Sequence, residues 1–173
     1  MGYPGRELVV WALGSSSPGR PVCNPRQTAA FRYSARYGPR PPCFARATVA
    51  ALPKGDRLLI GGTASVRGED SVHAGSLESQ VDETFANLSA LLAPGDKELP
   101  QSELCCARVY YARANDSSRL AALIQDRVGP GIALEFVRAD ICCAELLVEI
   151  EGLARPIAVL APGLRSPAQE TQI

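Results

Sequence analysis

The sequence predicts an α+β domain, a mixed β-sheet with two helices packed on one face. Three observations carry that prediction. Six short stretches rich in branched and aromatic residues read as strands, two longer ones repeat apolar residues at helical spacing, and their order fits helices layered against one side of a sheet. The 173 residues suffice for one domain with a real core. We place that domain at residues 1–153 and a weakly ordered tail at 154–173.

Residues 1–5 read as loose chain and 7–13 as a first strand, on Val9, Val10 and Trp11, broken by the glycines and serines of 14–19. Residues 21–42 are proline-rich, with one extended piece at 27–33. Arginines and aromatics interleave there at Phe31, Arg32, Tyr33, Arg36, Tyr37 and Arg40. Guanidinium forks grip carboxylates, so the segment suits a pocket for an aromatic or carboxylated ligand. It suits a rigid surface loop equally well.

Residues 44–52 and 57–65 flank Pro53-Lys54-Gly55-Asp56, a turn signal that predicts an antiparallel hairpin. The second of these strands closes on Gly61-Gly62-Thr63-Ala64-Ser65, small residues that admit either a closely approaching ligand or a bulge. The run lacks the lysine of a phosphate loop. In residues 76–92 the stripe Leu77, Val81, Phe85, Leu88 and Leu92 predicts a helix, capped by Ser76 and stopped by Pro94-Gly95. His73, in the preceding loop, reads as a hydrogen-bonder rather than a base.

Residues 105–111 form a third long strand. Asp116 or Ser117 caps a second helix carrying Leu120, Leu123, Ile124 and Val128, closed by Gly129-Pro130. Residues 132–138 and 146–152 are the last strands. No internal repeat interrupts this order.

Eighteen basic and eighteen acidic residues cancel, which argues against a nucleic-acid footprint or attraction to anionic lipid and leaves a small molecule or a protein as partner. No apolar span approaches the ~20 residues that cross a bilayer, and the run at 8–13 is shorter than a signal-peptide core. The expectation is a cytoplasmic chain with reduced thiols. Its six cysteines, Cys23, Cys43 and the pairs Cys105-Cys106 and Cys142-Cys143, lack C-x-x-C spacing, so we expect no metal and read the pairs as small packing residues. No cofactor is implied.

The chemistry concentrates in Arg138 to Gly152. Strand alternation sets Leu147, Glu149 and Glu151 on one side and Leu146, Val148 and Ile150 on the other. A carboxylate beside Leu147 on so apolar a strand is partly desolvated, which raises its pKa and suits proton transfer. Glu149 is the candidate acid or base; the plainer alternative is an edge strand with solvated glutamates.

The element order and the closing Val148-Glu149-Ile150-Glu151 resemble the reactive-intermediate deaminase fold, the Rid/YjgF or chorismate-mutase-like type. A closer resemblance is to the chorismatases, which include 3-hydroxybenzoate synthases and carry this fold in their C-terminal half. It rests on Asn24-Pro25-Arg26-Gln27, Tyr37-Gly38-Pro39-Arg40, Phe44-Ala45-Arg46-Ala47, Gly62-Thr63-Ala64-Ser65, His73-Ala74-Gly75, and Arg138 to Cys142 with Leu146 to Glu151.

The resemblance implies cleavage of the enolpyruvyl ether of chorismate or a related cyclic carboxylate in secondary metabolism, with release of pyruvate. Glu149 falls at the family's catalytic glutamate, and Cys142 where a cysteine marks the hydroxybenzoate-forming branch. Tyr37, Arg40, Gly62, Thr63, Ala64 and Tyr110 fall where substrate is held, with Arg113 and Arg138 as further cations. The arginine that commonly follows the Val109-Tyr110 run falls on Ala112, with Arg113 one place later, and one common after Cys142 is Cys143 here. The alternatives are Rid-type hydrolysis of an imine or enamine and a non-catalytic accessory protein. Rid-type domains usually form trimers with pockets between subunits, so the resemblance also implies a homotrimer.

Overall fold

The structure, a computed structural model, describes residues 12–93 and 101–157. Six strands form one sheet: β1 (Arg20–Val22), β2 (Ala47–Leu52), β3 (Gly55–Ala64), β6 (Ser102–Tyr111), β7 (Ala133–Arg138) and β8 (Val148–Pro156). Between β3 and β6 lie a small hairpin, β4 (Val66–Arg67) with β5 (Asp70–Ser71), and helix α1 (Leu77–Leu92); helix α2 (Ser117–Val128) links β6 to β7. The order across the sheet is β1-β2-β3-β8-β6-β7, antiparallel except for β6 with β7. That parallel pair needs a crossover, which α2 supplies. The α+β class holds.

Each helix buries an apolar stripe. Val81 and Leu88 of α1 and Leu120 and Ile124 of α2 meet Leu58, Ile60, Val109, Val148 and Ile150 of the sheet in a single core. Ser76 caps α1, its hydroxyl accepting from the Ser79 amide at 3.3 Å. The expected stop at Pro94-Gly95 lies outside the described residues. The hairpin forms as predicted, Leu52 opposite Gly55, which takes φ +96° in the turn.

Several expectations are corrected. Residues 27–33 are not extended: Ala30–Arg32 and Ala35–Tyr37 are single 3-10 turns, and the strand in the proline-rich passage is Arg20–Val22. Of the expected first strand, residues 7–11 lie outside the described residues, and Ala12 and Leu13 carry no secondary structure. Asp116 precedes α2 but makes no side-chain cap, because it ends a 3-10 turn in helical conformation. The last strand runs to Pro156, and it begins at Val148, so strict alternation fails before it. Leu146 and Leu147 are both buried, and Leu147 packs in the core rather than beside Glu149. All six cysteines are free, but none is fully buried, so packing does not explain the adjacent pairs. No helix among the described residues is long and apolar enough to cross a membrane.

Candidate active site

Strand β8 runs through the middle of the sheet, with Ala64 of β3 and Tyr110 of β6 flanking Glu149. Val148 and Ile150 point to the helices, so Glu149 points to the opposite, uncovered face. On β3 the register slips there: Ile60 pairs with Gly152 and Thr63 with Ile150, leaving Gly61 and Gly62 opposite Glu151 alone. This is a β-bulge, a device that re-aims side chains beside functional sites. A Cβ at residue 62 would lie 2.0 Å from Glu149 Oε1, so the acid rests on bare backbone that glycine alone provides.

The two glutamates of β8 differ sharply. Glu151 accepts from the Tyr110 hydroxyl at 2.8 Å and from Arg108 Nη1 at 3.0 Å, while Arg108 Nε reaches Glu135 at 2.7 Å. Glu149 has no hydrogen-bond donor among the described residues and is half-buried. Burial first, and then the negative charge of Glu151, push its carboxyl above the ordinary glutamate value. A desolvated, unpaired carboxyl beside an ion-paired one is the division of labour that acid catalysis uses.

Cys142 is an electrostatic neighbour of Glu149. Burial, then Cys143, then Glu149 push its thiol up to about 11, so it remains S–H at neutral pH. Its sulfur lies 3.8 Å from that of Cys143. The loop carrying both is tied down by fully buried Gln80 of α1, whose amide donates to the Glu145 carbonyl at 2.7 Å and accepts from the Leu147 amide at 2.7 Å.

The remaining expected residues divide. Tyr110 and Ala64 flank the acid directly. Gly62 seats the glutamate instead of leaving its backbone open to a ligand. Thr63 is buried, pairs with Ile150 on the core side, and donates to the Gly61 carbonyl at 3.0 Å, bracing the bulge. Tyr37 stacks on Tyr33 at 5.1 Å, and its hydroxyl donates to the Glu69 carbonyl. Arg40 and Arg113 are exposed, and Arg138, at the end of β7, pairs with Tyr111, one register step from Tyr110 and thus on the opposite face from Glu149. Within one copy none of these arginines forms an ion pair with the acid.

A polar cluster missed by the sequence reading braces the same end of β3. Buried Glu83 of α1 binds Arg26 at 2.6 Å and Arg67 at 2.5 Å, and His73 Nε2 stands 3.7 Å away. Burial opposes its ionisation, but the hydrogen bonds from Arg67 and Arg26 win and hold the carboxyl below its usual value. Asn87, also buried, donates to the carbonyls of Ala64 and Val66 and accepts from Arg26. His73 serves through its backbone, its carbonyl accepting from Ser76 and Gln80.

Comparison with known proteins bears on the fold. No protein-family model matches the chain. It is 32% identical over 165 residues to a 3-hydroxybenzoate synthase of Streptomyces hygroscopicus, covering 88% of this chain and 48% of that protein. A chorismatase of the same organism is 32% identical over 139 residues, 75% of this chain and 40% of that one. A chorismatase crystal structure superposes with a TM-score of 0.72 at 30% identity, over 81% of this chain and 44% of that one. Fold alone is shared with the yeast protein YEO7, at TM-score 0.62 and 14% identity over 81% of this chain and all of that one. The same is true of YyfA of the Rid family from Yersinia pestis, at 0.51 and 21% over 68% and 87%. The chain has the Rid/YjgF fold. Within that fold it resembles the chorismatases and 3-hydroxybenzoate synthases, and it spans about half the length of these curated relatives.

Proposed function

We propose that the protein cleaves the enolpyruvyl ether of chorismate or a closely related cyclic carboxylate, releasing pyruvate, with Glu149 as the general acid. The observation that carries this reading is the desolvated carboxyl of Glu149, seated on the Gly61-Gly62 bulge with no hydrogen-bond donor among the described residues. Protonated, it delivers its proton to the side-chain methylene, which becomes a methyl group and leaves an oxocarbenium carbon. Water attacks that carbon and returns a proton to Glu149, giving a hemiketal. Its collapse breaks the bond between that carbon and the ether oxygen, and the hydroxyl proton passes to that oxygen, which stays on the ring as an alcohol. Pyruvate departs, leaving a dihydroxycyclohexadiene carboxylate. In the other branch the ring's own hydroxyl displaces the ether oxygen and the ring aromatises to a hydroxybenzoate, with no net uptake of water.

Cys142, whose thiol stays neutral at physiological pH, stands where the resemblance puts the cysteine of the hydroxybenzoate-forming branch, which favours that branch. We further propose that the site is completed between copies in a homotrimer. Among the described residues Arg40, Arg113 and Arg138 lack acidic partners and no helix lies over the sheet face bearing Glu149. Incubating purified protein with chorismate and coupling pyruvate to lactate dehydrogenase tests the reading. Pyruvate release that falls ~10²–10⁴-fold in Glu149→Gln supports it. No pyruvate above background, or acceleration of 2-aminoacrylate hydrolysis instead, overturns it.

A further inference from the structure

The segment in which arginines and aromatics interleave encloses a cation that its own sequence does not contain. Arg46, just before β2, is 8% exposed, yet it forms no ion pair among the described residues. Both hydrogens of its Nη2 are used, on the Thr28 carbonyl and the Tyr33 hydroxyl. Its Nε is buried and has no partner, and Nη1 has none among the described residues. A guanidinium carries five N–H donors and keeps its charge at any physiological pH. The Nε–H is therefore left unmade inside the protein, and the two N–H groups of Nη1 have no partner among the described residues, on a residue that is 8% exposed.

Compensation comes from ring faces instead. The guanidinium carbon lies 5.6 Å from the Tyr33 ring centre and 5.0 Å from that of Phe44. Phe44 itself is 47% exposed, so one wall of this box is a large apolar ring turned to solvent. Glu83 marks the contrast: it is equally buried and has two arginines on it. A buried charge without a counter-ion is costly, whereas a fork flanked by aromatic faces is matched to a planar carboxylate on a ring. Through its carbonyl, which accepts from the Gly61 amide at 3.0 Å, Arg46 is also fixed to the bulge whose next residue seats Glu149.

We infer that Arg46, with Phe44 and Tyr33, is a carboxylate-binding site for a ring-bearing acid, Phe44 moving aside to admit it. The site deepens the reading of a cyclic carboxylate substrate, but it is a binding claim and stands or falls without turnover.

Benzoate and its uncharged counterpart benzamide are the probes, read by calorimetry and by thermal shift on the full chain. Benzoate binds the wild type and raises its melting temperature, and benzamide binds at least tenfold more weakly, as expected when a charged hydrogen bond is lost. Arg46→Met, which replaces a buried charge by an apolar side chain of similar length, keeps its fold and loses the benzoate shift. Should that variant not fold, Arg46→Lys keeps the charge but not the fork, and weakens benzoate at least about tenfold. Failure of benzoate to bind the wild type, equal binding of benzamide, or undiminished benzoate binding in the Arg46 variants overturns the inference. Loss of pyruvate release in Glu149→Gln with benzoate binding intact separates this site from the proton donor.

Discussion

At the scale of single residues the protein turns on where a proton can rest. Glu149 is raised by burial, so between its value in the unfolded chain and its raised folded value the native state holds the extra proton. Stability therefore falls as pH rises through that window and stays lower above it. Glu149→Gln removes the loss. Its melting temperature should exceed the wild type's at pH 7 and match it at pH 4 or below, as scanning calorimetry at the two values would show; equal melting at pH 7 would mean that the carboxyl is solvated. The glutamate was legible as a candidate from alternation in the strand. Its seat was legible only in part: the small residues from Gly61 to Ser65 allowed for a bulge, and β3 has one, but nothing local says that the register slip brings Gly62 under a side chain 87 residues further along the chain.

At the scale of elements, α1 does two jobs. Its apolar stripe was read from the sequence, yet a second stripe at Gln80, Glu83, Thr84 and Asn87 follows the same i, i+3, i+4, i+7 spacing, and all four are buried. Polar residues at helical spacing read as a solvated face; here Gln80, Glu83 and Asn87 meet backbone groups and arginines from other segments, while the buried Thr84 hydroxyl has no partner among the described residues. Gln80 fixes the approach to β8, and Asn87 ties the end of β3 to the helix. The sequence held this signal, but nothing in it says which partners arrive, since Arg26 lies 57 residues from Glu83. Glu83→Ala strips the carboxylate from two arginines. Their side chains remain 35% and 60% exposed, so solvent recovers part of the loss. We expect a cost of about 2–3 kcal/mol, below the ~3–5 kcal/mol of a fully enclosed pair. Glu83 is held below its usual value, so its contribution is present at neutral pH and is lost as pH falls through the lowered folded value. Urea melts should show the deficit at pH 7 and its shrinking in acid.

At the scale of the whole molecule, the sheet is covered by helices on one face and carries the proposed proton donor on the other. Leu59 and Leu153 pair on that open face and line a shallow pocket of about 420 Å³ with Arg108, Glu135 and Glu151. Half-buried leucines beside ion pairs are poor solvent surface and good interface, and in the trimer we propose the arginines expected near Glu149 would reach it from a neighbouring copy. The fold class and the succession of helices and strands from residue 44 onward were legible because each element's periodicity agrees with its place, whereas the order of strands across the sheet was not read. The assembly was not, because an open face and a covered one leave the same alternation in sequence. If copies meet there, light scattering will give about three times the 18.3 kDa of the chain. Leu59→Asp then sets a carboxylate near Glu151 in every subunit and should yield a monomer with native circular dichroism. Pyruvate release should fall with assembly, in proportion to the trimer that remains. A monomeric wild type that releases pyruvate would instead put the whole site within one chain.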